Sequence, residues 1–199
     1  MSTHVGASDA SLEGLGVCSA QWPREAVMRH GRIPERGRFR RTSGHSARDA
    51  WFAPNGFTRD SETALWRPLL DSESFSHLDW ERVSDFPEIP KTLLGSELFT
   101  VRIAQPFRIR EDIFVVEARA LFRSLQMLVS VHHVENSRCL LLVDNLGIAL
   151  SFERKRSRHF KVLVQIRKFC AYCLTFNIRC SIRWVPSEWN CSDMPSRVF

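Results

Sequence analysis

The chain has 199 residues, 44% of them hydrophobic and 11% aromatic, which is enough to bury one core and too apolar for wholesale disorder. It lacks an apolar run of about 18 residues, and its first ten residues show no basic stretch followed by an apolar one, so a soluble, intracellular protein (cytoplasmic or nuclear, no membrane partner) is expected. Net charge is +6, unevenly placed: residues 24–48 carry eight Arg against two Glu, and residues 151–183 carry nine Lys or Arg against one Glu. The remainder is therefore acidic, a distribution that suits a polyanion held beside bound cations, although two solvated basic faces give the same count.

Thr3 to Ser8 reads as a short strand ending at Asp9. Small, Gly-rich residues follow (Ala10 to Gly16), and Val17 to Ala20 resumes strand character, which together suggest a hairpin with Asp9 at the exit of its first strand. From Arg24 to about Gly95 no hydrophobic period is sustained: the stretch around Gly31 to Arg38 is basic and turn-rich, and Trp51, Trp66 and Trp80 recur without spacing. Residues 24–95 are thus expected to be a basic insertion, disordered in its first half, between residues 1–23 and 96–199 of one domain.

Glu97 to Val116 reads as extended. Ala118, Leu121, Phe122, Leu125, Leu128 and Val129 then recur at helical spacing, with Glu117 expected to open that helix beside its apolar stripe. Arg138 to Val143 is a near-continuous apolar run ending in Asp144-Asn145, the pattern of a strand covered on both faces with its acid at the C-terminal edge. Short helical material, the basic knot Arg154-Lys155-Arg156-Ser157-Arg158 and an amphipathic helix over about His159 to Phe176 lead to a last strand, Ile178 to Val185. Pro186 stops that strand, and Asn190 or Ser192 can cap a helical turn that begins with Asp193. The six cysteines do not form a disulfide framework in a chain of this size; Cys170-x-x-Cys173 falls within a helical pattern, and inert thiols are expected rather than a zinc site.

Asp9, Glu117, Asp144 and Asp193 therefore fall at the ends of neighbouring elements. Carboxylates packed together repel and resist ionisation unless they share a cation. Hard divalent ions such as Mg²⁺ take oxygen ligands and leave room for water and phosphate. Two such ions can activate a water and stabilise the leaving oxygen of a phosphodiester.

Asp9-Ala10-Ser11 with Gly14-x-Gly16, Glu117-Ala118-Arg119-Ala120-Leu121, Val143-Asp144-Asn145 and Trp184-Val185-Pro186-Ser187-Glu188-x-Asn190-x-x-Asp193-x-Pro195-Ser196-Arg197 resemble, in order, the four catalytic blocks of the type 1 ribonuclease H family, in the form found in retroelement polyproteins of the DIRS-like or gypsy-like kind. The resemblance covers residues 3–23 and 96–197. It implies an α/β fold, RNase H-like, with a five-stranded mixed sheet flanked by helices and a long irregular insertion after the second strand. It also implies hydrolysis of the RNA strand of RNA–DNA hybrids by two Mg²⁺ ions, with Mn²⁺ as a substitute. Asp9, Glu117, Asp144 and Asp193 would be catalytic residues and metal ligands. Arg154, Lys155, Arg156, Arg158, Asn145 and Asn190 would contact the hybrid, and a reverse transcriptase domain would be a neighbour in a longer polyprotein. The order Asp, Glu, Asp, Asp differs from the Asp, Asp, Glu of transposases and integrases, and Ser11 stands where a proofreading exonuclease has Glu. A basic nucleic-acid-binding remnant that keeps the fold without turnover is the competing reading.

Overall fold

In a computed structural model of the chain, residues 1–41, 57–59, 66–68, 80–107 and 111–199 are described. They divide into two compact units, residues 1–36 with 87–199, and residues 37–86.

The first unit is built on a five-stranded mixed sheet flanked by helices. Its strands are β1 (His4–Ala10), β2 (Gly14–Gln21), β7 (Phe99–Pro106), β8 (Arg138–Val143) and β9 (Arg179–Trp184), in the spatial order β7-β2-β1-β8-β9. β1, β2 and β7 are antiparallel neighbours; β8 lies parallel to both β1 and β9. The expected hairpin is present, its turn tied by Ser11, whose Oγ accepts from the backbone N–H groups of Glu13 and Gly14, each at 3.0 Å.

The apolar run of β8 is covered on both faces. Cys139, Leu141 and Val143 join a core with Leu121, Leu125 and Leu128 of helix α2 (Ile113–His132), Ile148 and Phe152 of α3 (Leu146–Arg154), and Ile166 and Phe169 of α4 (Phe160–Thr175). Leu140 and Leu142 face a second core with Val5, Ala7, Trp22 and Val27. A strand with two buried faces has no polar alternation, which is why its sequence reads as a continuous run. None of the helices among the described residues is long and apolar enough to cross a membrane.

Three boundaries differ from expectation. Extended structure stops at Pro106, and α2 starts at Ile113, where the Asp112 carboxylate accepts from Phe114 N–H at 2.9 Å. That cap places Glu117 one turn inside the helix on its buried side, instead of at its first position. Residues 24–36, expected to open the insertion, fold with the first unit: α1 (Arg24–His30) buries Val27, and Glu35 is fully buried against Arg183 of β9, its Oε1 accepting from Arg183 Nε at 2.6 Å. Residues 87–95 also belong to this unit, with Ile89 and Leu94 in its second core. A charge pair joining positions 148 apart leaves no trace in local hydrophobic periodicity.

In the second unit, β3 (Phe39–Arg41) pairs antiparallel with β6 (Trp80–Arg82), and β4 (Phe57–Arg59) with β5 (Trp66–Pro68). The Arg38 guanidinium lies 4.5 Å from the centre of the Phe86 ring. Within the stretch expected to be disordered, residues 42–56, Trp51 among them, lie outside the described residues.

Candidate metal centre

Parallel strands β1 and β8 pair with Ser8 opposite Val143, so the next residues, Asp9 near the end of β1 and Asp144 just past β8, come to the same edge of the sheet. Glu117 reaches that edge from α2, which packs along β1. Each of these three carboxyl groups offers an oxygen within 4.8 Å of the other two, the one such grouping of His, Cys, Asp or Glu among the described residues. They line an open cleft of about 790 Å³ with Ser11, Leu12, Phe114, Asn145, Trp184 and Arg197.

The electrostatics are those of anions forced together. Burial, then the neighbouring Asp9 and Asp144 charges, push Glu117 up to about 9, against the opposing hydrogen bond from Asn145. Asp9 rises to about 6, chiefly through burial and Asp144, with Asp193 adding to the push. Ser196 opposes it, its Oγ donating to Asp9 Oδ2 at 2.6 Å. Asp9 and Glu117 resist their own ionisation, and together with Asp144 they make three oxygen donors that fit a hard divalent cation, which turns the repulsion into ligation.

The fourth expected ligand, Asp193, begins the single-turn helix α5 (Asp193–Ser196). Its charge acts on Asp9, yet it stands outside the cluster of three and is held instead by Arg197, which donates from Nε at 2.9 Å and from Nη2 at 2.7 Å to the same oxygen, Oδ1. The terminal segment is docked by several ties. Asn190 donates to Ser8 O at 3.1 Å, and Ser11 Oγ donates to Ser196 O at 2.6 Å. Gly16 lets the segment lie directly on β2, where a Cβ would collide with Ser192 O and stand 2.9 Å from Pro195 Cβ.

The expected nucleic-acid contacts separate into two sets. Arg154, Lys155, Arg156 and Arg158 are all exposed at and after the end of α3, with Lys155 in the left-handed conformation (φ 54°) that stops the helix and turns the chain. Asn145 lines the cleft and caps α3, accepting from Ile148 N–H at 3.1 Å. Asn190 is a correction: it is 5% exposed, and both ends of its amide are used internally, on Ser8 O and on Ser192 N–H. These bonds dock the segment that carries Asp193.

Other contributors were not among the expected site residues. Trp184 donates its indole N–H to Asp144 O at 2.7 Å, and its own backbone N–H is held by Glu35 Oε1 at 3.0 Å. A buried glutamate from the region expected to be insertion thus supports the strand end that carries Asp144. All six cysteines are free thiols, with Cys173 and Cys180 Sγ atoms 3.8 Å apart. No protein-family model matches the chain, and none of the curated proteins matches it significantly.

Proposed function

We propose that this chain is a metal-dependent nuclease of the ribonuclease H type, derived from a retroelement polyprotein, that hydrolyses the RNA strand of RNA–DNA hybrids. The observation that carries the reading is the meeting of Asp9, Glu117 and Asp144 within ligand distance of one another at one sheet edge, in an open cleft. A mixed sheet of three antiparallel and two further parallel strands, with helices over it, is compatible with that fold. The exposed basic run after α3 supports a polyanionic substrate, because such cations track phosphates irrespective of sequence.

In this reading Asp9, Glu117 and Asp144 hold Mg²⁺, and Asp193 completes the set for a second ion. Bound divalent cations supply water activation and stabilisation of charge on the departing oxygen. The chain's own residues do the rest. Asp9 is oriented by Ser196 and Asp144 by Trp184, through its carbonyl. Asn145 fixes Glu117 by a side-chain hydrogen bond and, as the α3 cap, is itself fixed. Arg154, Lys155, Arg156 and Arg158 bind phosphates, and the 2′-hydroxyl marks the strand to be cut.

The test is cleavage of a labelled RNA–DNA hybrid with Mg²⁺, with EDTA and the Asp144→Asn variant as controls. RNA-strand loss in the wild type alone is the expected result. A folded wild type that binds hybrid in a salt-dependent manner and cuts nothing in Mg²⁺ or Mn²⁺ would replace this reading with that of a basic binding remnant.

A further inference from the structure

We propose that Arg197 is a built-in counter-cation that withholds Asp193 from the metal centre, so that the free protein takes one divalent cation on its three clustered acids and a second only when Arg197 is drawn away. The inference rests on reading the three acids as a metal centre.

Asp193 presses electrostatically on Asp9, yet the structure commits its Oδ1 to two donors of one guanidinium. A forked pair of this kind neutralises the carboxylate and places a positive charge where a divalent ion would have to approach. Arg197 also lines the same cleft as Asp9, Glu117 and Asp144, so its charge faces the space a second cation would occupy. The two residues are one helical turn apart, so the contact is local to the docked turn.

The pair is strong enough to hold and weak enough to release. The Arg197 side chain is 62% exposed and that of Asp193 33% exposed, so water and salt screen the attraction. A phosphodiester offers the same fork two oxygens in matching geometry. A phosphate-bearing polyanion entering the cleft is therefore the ligand that takes Arg197 and frees Asp193 to ligate. Cation count and substrate occupancy become linked through one side chain.

The experiment is calorimetric titration of the full chain with Mn²⁺ alone, in wild type, Arg197→Gln, Asp193→Asn, the double variant and Asp144→Asn. Because both side chains are at least partly exposed, these substitutions leave the fold intact, which circular dichroism checks. The expected result is one ion in the wild type and in Asp193→Asn. Arg197→Gln should show two ions, the second bound about tenfold more tightly than any second site in the wild type. The double variant should return to one. Wild type and Arg197→Gln titrating alike, with either one ion or two, overturns the proposal while leaving the metal centre standing. A wild type that binds no Mn²⁺, or an Asp144→Asn variant that binds as the wild type does, overturns the metal-centre reading itself and the proposal with it.

Discussion

Replacing Glu117 by Gln should change how the stability of the protein depends on pH and on divalent cations. Glu117 is 8% exposed and is pushed from an ordinary value of 4.5 up to about 9, first by burial and then by Asp9 and Asp144. The sign follows from which state holds the proton. Below pH 4.5 both folded and unfolded chains carry it, and the stability is intact. Between pH 4.5 and 9 the unfolded chain releases it and the folded chain keeps it, so folding loses about 1.4 kcal/mol for each pH unit gained. From pH 6 to pH 8 the cation-free protein should lose about 3 kcal/mol at this group, which for a chain of this size lowers Tm by roughly 6–12 °C. Asp9, raised to about 6, adds a smaller loss of the same sign near the lower end of that window. On the proposed reading the ionised cluster takes Mg²⁺, which should cancel most of the loss at pH 8 and little of it at pH 5. In Glu117→Gln the cation-free Tm should be nearly level from pH 6 to pH 8, higher than wild type at pH 8 and unresponsive to Mg²⁺. The assay is a thermal melt by circular dichroism in EDTA and in Mg²⁺ across that range. A wild type whose cation-free Tm does not fall, or a Glu117→Gln variant that falls equally, refutes the reasoning.

Glu35→Ala takes the carboxylate from beside the fully buried Arg183 guanidinium, and urea unfolding should show a loss of about 3–5 kcal/mol; Glu35→Leu with Arg183→Met should lose less than the single variant, because the buried positive charge goes with the negative one. Gly16→Ala forces the terminal segment off β2 and should cost about 1–3 kcal/mol in the same assay, with the segment becoming sensitive to proteolysis near Asp193. Ser196→Ala removes the hydrogen bond that opposes the rise of Asp9, so Asp9 should titrate higher, and Mn²⁺ affinity at pH 6 should fall several-fold with a smaller change at pH 8. Neutralising Lys155 and Arg156 together, both exposed, should weaken hybrid binding at low salt and lower the slope of log K against log salt by about two, read by fluorescence anisotropy across salt concentrations.

The helices and strands near the acids were legible because their hydrophobic patterns are strong. The two-faced run of β8 announced a central strand and put Asp144 at its edge, and the small residues around Asp9 announced a hairpin. The start of α2 was harder. Its cap, Asp112, falls inside Glu97 to Val116, a stretch whose sequence reads as extended throughout, so Glu117 was read at the first position instead of one turn in. Residues 24–36 were misread as insertion because α1 is short and its region is anchored by a buried ion pair to β9, a contact that no local period encodes.

The sequence by itself determined which acids exist, their order, and the strand and helix on which Asp144 and Glu117 lie, since alternation and helical spacing are local properties of the chain. Tertiary structure decided that Asp9, Glu117 and Asp144 meet, because the meeting depends on β1 and β8 pairing in parallel across more than 130 residues. It also decided that Asn190 is a buried strut and that Ser196 reaches Asp9. The Asp193–Arg197 contact lies within one turn, yet its meaning is tertiary too: only the docking of that turn beside the cleft sets a guanidinium near the clustered acids. Where a side chain's partner is distant in sequence, its charge state and role follow from the packed neighbours that exclude water, and those are properties of the fold.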